Sequence, residues 1–205
     1  MSASGTVAVI RAPSIDILPD LTEALVAGGV VSIEVTMSTP KAIRGIELLA
    51  DKIGDKAVVG VGTVLDAATA AAALSAGAQF VVCPMTDKAI IDTVIRQGKV
   101  MIAGAFTPTE IVNAWTLGSD VIKVFPSTAL GPQYFKDLAG PLPQIKLTPT
   151  GGVDAKNAGD WIKAGAVCVG AGSALVTKQA MEKRDWADIT AKAQAFTDAI
   201  KAARA

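Results

Sequence analysis

Short runs of β-branched and apolar residues alternate with longer, Ala-rich amphipathic stretches along the whole chain. The runs are Thr6–Arg11, Val31–Thr36, Ala57–Val64, Phe80–Pro84, Val100–Ala105, Val121–Pro126, Ile145–Thr150 and Val167–Gly170. They read as eight strands, recurring about every 23 residues, the span of one compact strand–helix unit. The stretches between them carry helical spacing. Ile43, Ile46, Leu49 and Ile53 recur at three and four, as do Ile90, Val94 and Ile95. Trp186, Ile189, Ala193, Phe196 and Ile200 mark one buried face of a final helix. Gly28-Gly29, Gly54, Gly77, Gly98, Gly118, Gly140 and Gly165 each close a helical stretch, where a left-handed residue is wanted. Pro40 and Pro108 open helices, where a missing N–H costs nothing.

Eight consecutive βα units favour a closed (β/α)8 barrel, with residues 1–205 forming one catalytic domain. The strands are apolar on both faces, as a parallel sheet covered by helices requires. A doubly wound sheet is the structural alternative. It usually carries GxGxxG after the first strand, and Val9-Ile10-Arg11-Ala12-Pro13 has no glycine.

Composition narrows the chemistry. Hydrophobic residues make up 51% and charged residues 19%, with mean hydropathy +0.44, which excludes a disordered chain. Lys+Arg and Asp+Glu are both 19, and no basic stretch stands out, so a nucleic-acid partner is not expected. Histidine is absent, which removes Ser-His-Asp and Cys-His nucleophile systems and His-based zinc sites. Cys83 and Cys168 have no metal-ligand spacing and read as small core residues of a reducing compartment. MSASGTVAVIRAPS lacks the basic and apolar regions of a signal peptide. No apolar run approaches the roughly 20 residues that span a bilayer. A cytoplasmic protein is expected.

In such a barrel the chemistry sits at the C-terminal ends of the strands, so polar residues on their axial faces matter most. In Val121–Pro126, Ile122 and Val124 face the helices and Val121, Lys123 and Phe125 face the axis. A mid-strand lysine in an apolar run is costly unless paired or neutral. An amine withdrawn from water is driven toward its neutral, nucleophilic form, which suits Schiff-base formation with a carbonyl. A structural ion pair or a snorkelling lysine is the plainer explanation. Lys146 starts the next strand, on the opposite side of the barrel, and reads as structural. In the second run, Ser32, Glu34 and Thr36 face the axis. Glu34 is the natural partner of Lys123, and a carboxylate beside an imine can shuttle protons at the adjacent carbon.

Thr150-Gly151-Gly152-Val153 and Gly170-Ala171-Gly172-Ser173 end the last two strands. Their backbone N–H groups can cradle an anion, and barrels often hold a phosphate there; glycine clusters are also ordinary loop punctuation. Arg11 ends the first strand and suits a two-pronged carboxylate contact. Thr63 offers a hydroxyl, and Pro84 and Phe125 offer apolar walls. Trp115, Trp161 and Trp186 fall on helices and read as packing.

Taken together, these residues resemble the 2-keto-3-deoxy-6-phosphogluconate (KDPG) aldolase family over roughly residues 6–200, a family also associated with 4-hydroxy-2-oxoglutarate cleavage. The resemblance lies in Val9-Ile10-Arg11, Gly28-Gly29, Glu34-Val35-Thr36, Gly60-Val61-Gly62-Thr63-Val64, Lys123-Val124-Phe125-Pro126, Gly131-Pro132-Gln133, Pro149-Thr150-Gly151-Gly152-Val153 and Gly172-Ser173. It implies that Lys123 forms the imine, Glu34 is the general acid/base and Thr63 binds the pyruvate portion. It also implies a homotrimer, a small phosphorylated keto-acid substrate, and neither metal nor cofactor. Many members have an arginine four residues after the glutamate, where this chain has Ser38, which leaves the carboxylate contact to Arg11. The related phosphogalactonate aldolases also lack that arginine and share a stretch close to Phe125–Tyr134, but typically carry valine where Thr150 stands.

The expected activity is therefore a class I aldolase that cleaves KDPG to pyruvate and glyceraldehyde 3-phosphate. A phosphogalactonate aldolase is the alternative, as is a non-catalytic assembly subunit that reuses the scaffold. An epimerase-type barrel is disfavoured, because such barrels commonly use Asp, His or a metal on their strands.

Overall fold

The computed structural model describes residues 4–205; Met1–Ala3, where the expected absence of a leader begins, lie outside the described residues. Eight parallel strands form the wall: β1 Thr6–Ile10, β2 Ser32–Thr36, β3 Val58–Gly62, β4 Phe80–Val82, β5 Val100–Ala105, β6 Val121–Val124, β7 Leu147–Pro149 and β8 Val169–Ala171. Each pairs with its neighbours in chain order, and β1 also pairs with β8. β7 and β8 close the ring through isolated bridges, Leu147 to Ala166 and Thr150 to Gly170, instead of a ladder. The fold is a (β/α)8 barrel.

All eight expected strands are present, most of them shorter than their apolar runs. Arg11, Pro84, Phe125, Pro126 and Thr150 lie just beyond strand ends, and β8 ends one residue later, at Ala171. Of these residues only Thr150 is buried; Arg11 and Pro126 are exposed at the mouth.

The helices are α1 Leu18–Ala27, α2 Ala42–Ile53, α3 Ala67–Ser75, α4 Lys88–Arg96, α5 Pro108–Thr116, α6 Gly131–Ala139, α7 Ala158–Lys163, α8 Lys178–Lys183 and α9 Trp186–Arg204. Pro108 does open α5, inside a capping box made by Thr107 and Glu110. Pro40 stands two residues before α2, whose first turn follows Lys41 at φ +58. Gly29, Gly54, Gly77, Gly98, Gly118 and Gly165 take positive φ as expected; Gly140, at φ −63, does not.

Alternation along the strands creates two cores. Ile33, Val35, Ile122 and Val124 join the large cluster between strands and helices. Val7, Phe80, Val82, Ile102 and Cys168 form a smaller one inside the barrel. The apolar plug fills the N-terminal half of the interior, so polar axial residues are confined to the other half. Lys146 opens on the plugged end, among Val58, Phe80 and Val121, as its position before β7 implies.

The final helix buries Ile189, Ala193, Phe196 and Ile200. Burying a side chain such as Phe196 contributes about 1.5–3 kcal/mol. Close approach to the first unit depends on Gly28, where a Cβ would lie 2.4 Å from that of Ala193. Trp161 packs edge-on against Phe135 in the core, and Trp186 is half-buried against it. Trp115 and Ile95, expected to pack inward, are each 42% exposed. The α4 stripe turns inward through Ile90, Ile91 and Val94, which leaves Ile95 on the outer face.

Candidate active site

Glu34 sits mid-strand on β2, between Val9 of β1 and Gly60 of β3 in register. It is 3% exposed, and its Oε1 is buried with no hydrogen-bond partner. Burial pushes the carboxyl above its usual range, while Lys123 and then Arg11 pull it down. The side chain leans over Gly62, where a Cβ would stand 1.8 Å from Oε1. Glycine is therefore a packing requirement of the Gly60-Val61-Gly62 string. Gly62→Ala is expected to cost about 1–3 kcal/mol of stability by overpacking and to displace the Glu34 carboxyl. Thermal melts and steady-state kinetics on one preparation check both effects.

Lys123 lies on β6, between Gly104 of β5 and Thr148 of β7. It is 6% exposed, and its Nζ lies 5.1 Å from the centroid of the Phe125 ring, within cation–π range. Thr148 is not its partner, because that hydroxyl donates to the Cys168 carbonyl at 2.9 Å.

The expected direct Lys123–Glu34 pair is not formed. Among the described residues no ion pair joins them. The reason is topological: β2 and β6 are four strands apart and occupy opposite walls of an eight-stranded barrel. Lys123 still acts on Glu34 electrostatically across the axis, without an ion pair. An unpaired amine facing an unpaired carboxyl across the barrel axis can attack a carbonyl on one side and move protons on the other.

Above them lies a cleft of about 260 Å³. Thr150, Gly151 and Gly152 form one wall, Gly172 and Ser173 another, and Arg11 with Phe125 the rest. Gly151 and Gly152 take φ +99 and +71, which only glycine adopts freely. Among the described residues the backbone N–H groups of Gly151, Gly152, Ser173 and Ala174 donate to no protein acceptor. Such converging donors have the arrangement of a nest suited to an anion. Arg11 is exposed and makes no ion pair among the described residues. The two walls meet because Gly170 faces Thr150, where a Cβ would stand 2.4 Å from the threonine hydroxyl.

The structure thus brings Arg11, Phe125, Thr150, Gly151, Gly152, Gly172 and Ser173 around one cleft, with Glu34 and Lys123 in the barrel interior. Thr63 and Pro84 do not line that cleft; they cap β3 and β4 across the mouth. Thr63 holds φ +59, a conformation rare for a β-branched residue and costing about 1–3 kcal/mol. It is held there from both sides, by Met37 N–H donating to the Gly62 carbonyl at 2.8 Å and Val64 N–H donating to Val82 at 3.3 Å. Pro84 is fixed by its backbone resting on Gly104, where a Cβ would meet its carbonyl carbon at 2.2 Å.

Three cleft residues, Val9, Asp154 and Ala174, had no role assigned from the sequence. Val9 lines it from the axial face of β1, and Asp154 stands at its rim. The Asp154 carboxylate accepts from the N–H groups of Lys156 at 2.8 Å and Asn157 at 3.0 Å, so it serves the turn that carries the glycines. An Asp-x-x-Asn spacing after Gly-Gly is the signal that marks such a turn. Burial disfavours both thiolates, pushing Cys83 up to about 12 and raising Cys168 as well. Among the described residues no cluster suited to a metal ion occurs, and no helix is long and apolar enough to cross a membrane.

A closed barrel with an anion nest and two buried ionisable groups on opposite walls defines an aldolase-type site. Residues 1–192 match the family described as KDPG and KHG aldolase. The chain belongs to that family and is an enzyme of the lyase class. It is 35% identical over 196 residues to 2-dehydro-3-deoxy-phosphogluconate aldolase of Dickeya dadantii, covering 95% of this chain and 91% of the relative. It is 32% identical over 179 residues to 2-dehydro-3-deoxy-6-phosphogalactonate aldolase of Escherichia coli, covering 87% of each. A solved KDPG aldolase from Legionella pneumophila, with pyruvate captured as a covalent carbinolamine intermediate, superposes with TM-score 0.88 at 31% identity over 95% of both chains.

Proposed function

We propose that residues 1–205 act as one catalytic domain, a class I aldolase that cleaves KDPG to pyruvate and glyceraldehyde 3-phosphate, and also 4-hydroxy-2-oxoglutarate. The observation that carries this reading is the pair of buried, mutually unpaired groups on opposite barrel walls beneath an anion nest. The Lys123 amine adds to the C2 carbonyl, and loss of water leaves the imine. Glu34, through a water, takes the C4-hydroxyl proton. The C3–C4 bond breaks, its electrons pass to the imine nitrogen, and the aldehyde departs. Glu34 helps return a proton to C3, and hydrolysis frees pyruvate. The imine is the electron sink, so the scheme uses no metal or cofactor. Activity is expected to survive EDTA; loss restored by a divalent ion contradicts it.

In this scheme Thr63 binds the pyruvate portion, Arg11 its carboxylate, and Pro84 and Phe125 the apolar body. The phosphate occupies the nest of Gly151, Gly152, Gly172 and Ser173, beside Thr150. A Cβ at Gly172 meets nothing closer than Arg11 at 3.5 Å, so larger side chains there fill the cleft without breaking the barrel. Gly172→Leu is expected to lower kcat/KM for KDPG at least tenfold more than for 4-hydroxy-2-oxoglutarate, because only the former spends phosphate binding on positioning the reacting carbons. Equal losses place the phosphate elsewhere.

A phosphogalactonate substrate is the second reading, favoured by the similarity to the E. coli phosphogalactonate aldolase. Turnover of the two C4 epimers in parallel decides between them. The protein is further proposed to be cytoplasmic and to act as a homotrimer. Among the described residues, Leu65, Ile95, Val100, Phe106, Val112 and Trp115 are the large apolar side chains left exposed, and all fall within units three to five. Apolar surface gathered on one sector suits burial against another copy.

A further inference from the structure

We propose that the barrel mouth is forked, and that its second arm takes the apolar tail of an unphosphorylated aliphatic aldehyde in pyruvate addition. This rests on the class I reading above. A second cavity of about 280 Å³ adjoins the anion cleft and shares Val9, Arg11 and Ser173 with it. Its remaining walls are mostly apolar: Ala12 and Pro13 from the β1–α1 loop, and Val176 and Met181 from the segment after β8. Ala12, Val176 and Met181 are buried, so the walls belong to the packed body of the protein. The charged groups at its edge, Lys178 and Glu182, lie 3.7 Å apart and offset each other.

The shared residue Val9 locates the fork. It is the register partner of Glu34, so the fork lies on the strand next to the group proposed to move the C4-hydroxyl proton. One arm leads to unpaired N–H donors and selects an anion. The other has Arg11 and Ser173 only at the shared fork; beyond them Ala12, Pro13, Val176 and Met181 favour hydrocarbon. An acceptor aldehyde thus has two routes for its tail from one reacting centre.

The chemistry is the reverse of cleavage. C3 of the Lys123-bound enamine bonds to the aldehyde carbon, the carbonyl electrons move to oxygen, and that oxygen takes a proton. Water then hydrolyses the imine, releasing a 4-hydroxy-2-oxo acid and the free amine. The product is the sum of pyruvate and aldehyde, with no change of oxidation state overall.

The test is the chain-length dependence of kcat/KM with acetaldehyde, propanal, butanal and pentanal, beside glyceraldehyde 3-phosphate, all with pyruvate. Burial of each methylene is expected to add about fourfold. Pro13→Asp puts a carboxylate on the exposed lip, and Met181→Gln puts an amide on the inner wall. Either is expected to flatten the series, lowering pentanal at least tenfold relative to acetaldehyde, with glyceraldehyde 3-phosphate within twofold of the parent. A series that is flat in the parent, or a slope that persists in both variants, overturns the second arm. So does a loss with pentanal that only parallels glyceraldehyde 3-phosphate in both. If the parent joins pyruvate to neither aldehyde class, the aldolase reading itself fails.

Discussion

Replacing Lys123 with methionine is expected to abolish borohydride trapping of pyruvate and to lower cleavage on the order of 10⁵-fold, as removal of a covalent nucleophile does. The size of the effect follows from the site. Lys123 is the amine held at 6% exposure on the barrel axis, and Lys146 opens at the plugged end. Methionine matches the length of the lysine stem and leaves an apolar end on a buried wall, so the barrel is expected to stay folded. Mass spectrometry of the parent after borohydride should find one adduct, on Lys123. An adduct on Lys146 or a surface lysine, with Lys123 unmodified, refutes the assignment.

Glu34→Gln is expected to split activity from stability. Proton transfer at C3 should fall about 10²–10⁴-fold, read as exchange of the pyruvate methyl protons with solvent deuterium. Exchange at the parental rate means another group carries the proton. Stability should move the other way. Burial raises the folded-state affinity of Glu34 for a proton, so the folded protein is favoured where the carboxyl is protonated and penalised as pH rises through the raised value. Gln removes that penalty. The variant should therefore melt above the parent at neutral pH, and the gap should close as pH falls toward about 4.3, the unperturbed glutamate value. The same shift places the acid limb of the parental kcat/KM profile above the ordinary carboxylate range. A melting difference that ignores pH contradicts a titrating Glu34.

The eight units were legible because each strand and helix states its own period. Ile122 and Val124 alternate with Lys123, and Ile33 and Val35 with Glu34, so the axial face of both strands could be read from residue type alone. Positive-φ glycines marked most helix ends for the same local reason. The misreadings were those of neighbourhood. Ile95 and Trp115 have helical spacing, yet which face of α4 and α5 meets the barrel depends on how the helices roll against it. Thr63 carried the family signal but no hint of its left-handed backbone, which depends on bonds from Met37 and to Val82.

The sequence by itself determined that this is a chain of eight βα units with an amine and a carboxyl on axial faces and two glycine turns after the last strands. Side-chain periodicity is a property of each strand alone, and turn glycines answer to local φ. Only the tertiary structure decided how far apart those groups stand. Closing the ring puts β2 opposite β6, so the amine and the carboxyl face each other across the axis without forming an ion pair. It also brings Gly170 against Thr150, drawing the glycine turns into one nest, and leaves Gly62 as the only residue type that fits beneath Glu34. Distance across a barrel is set by strand number and closure, which no single strand encodes.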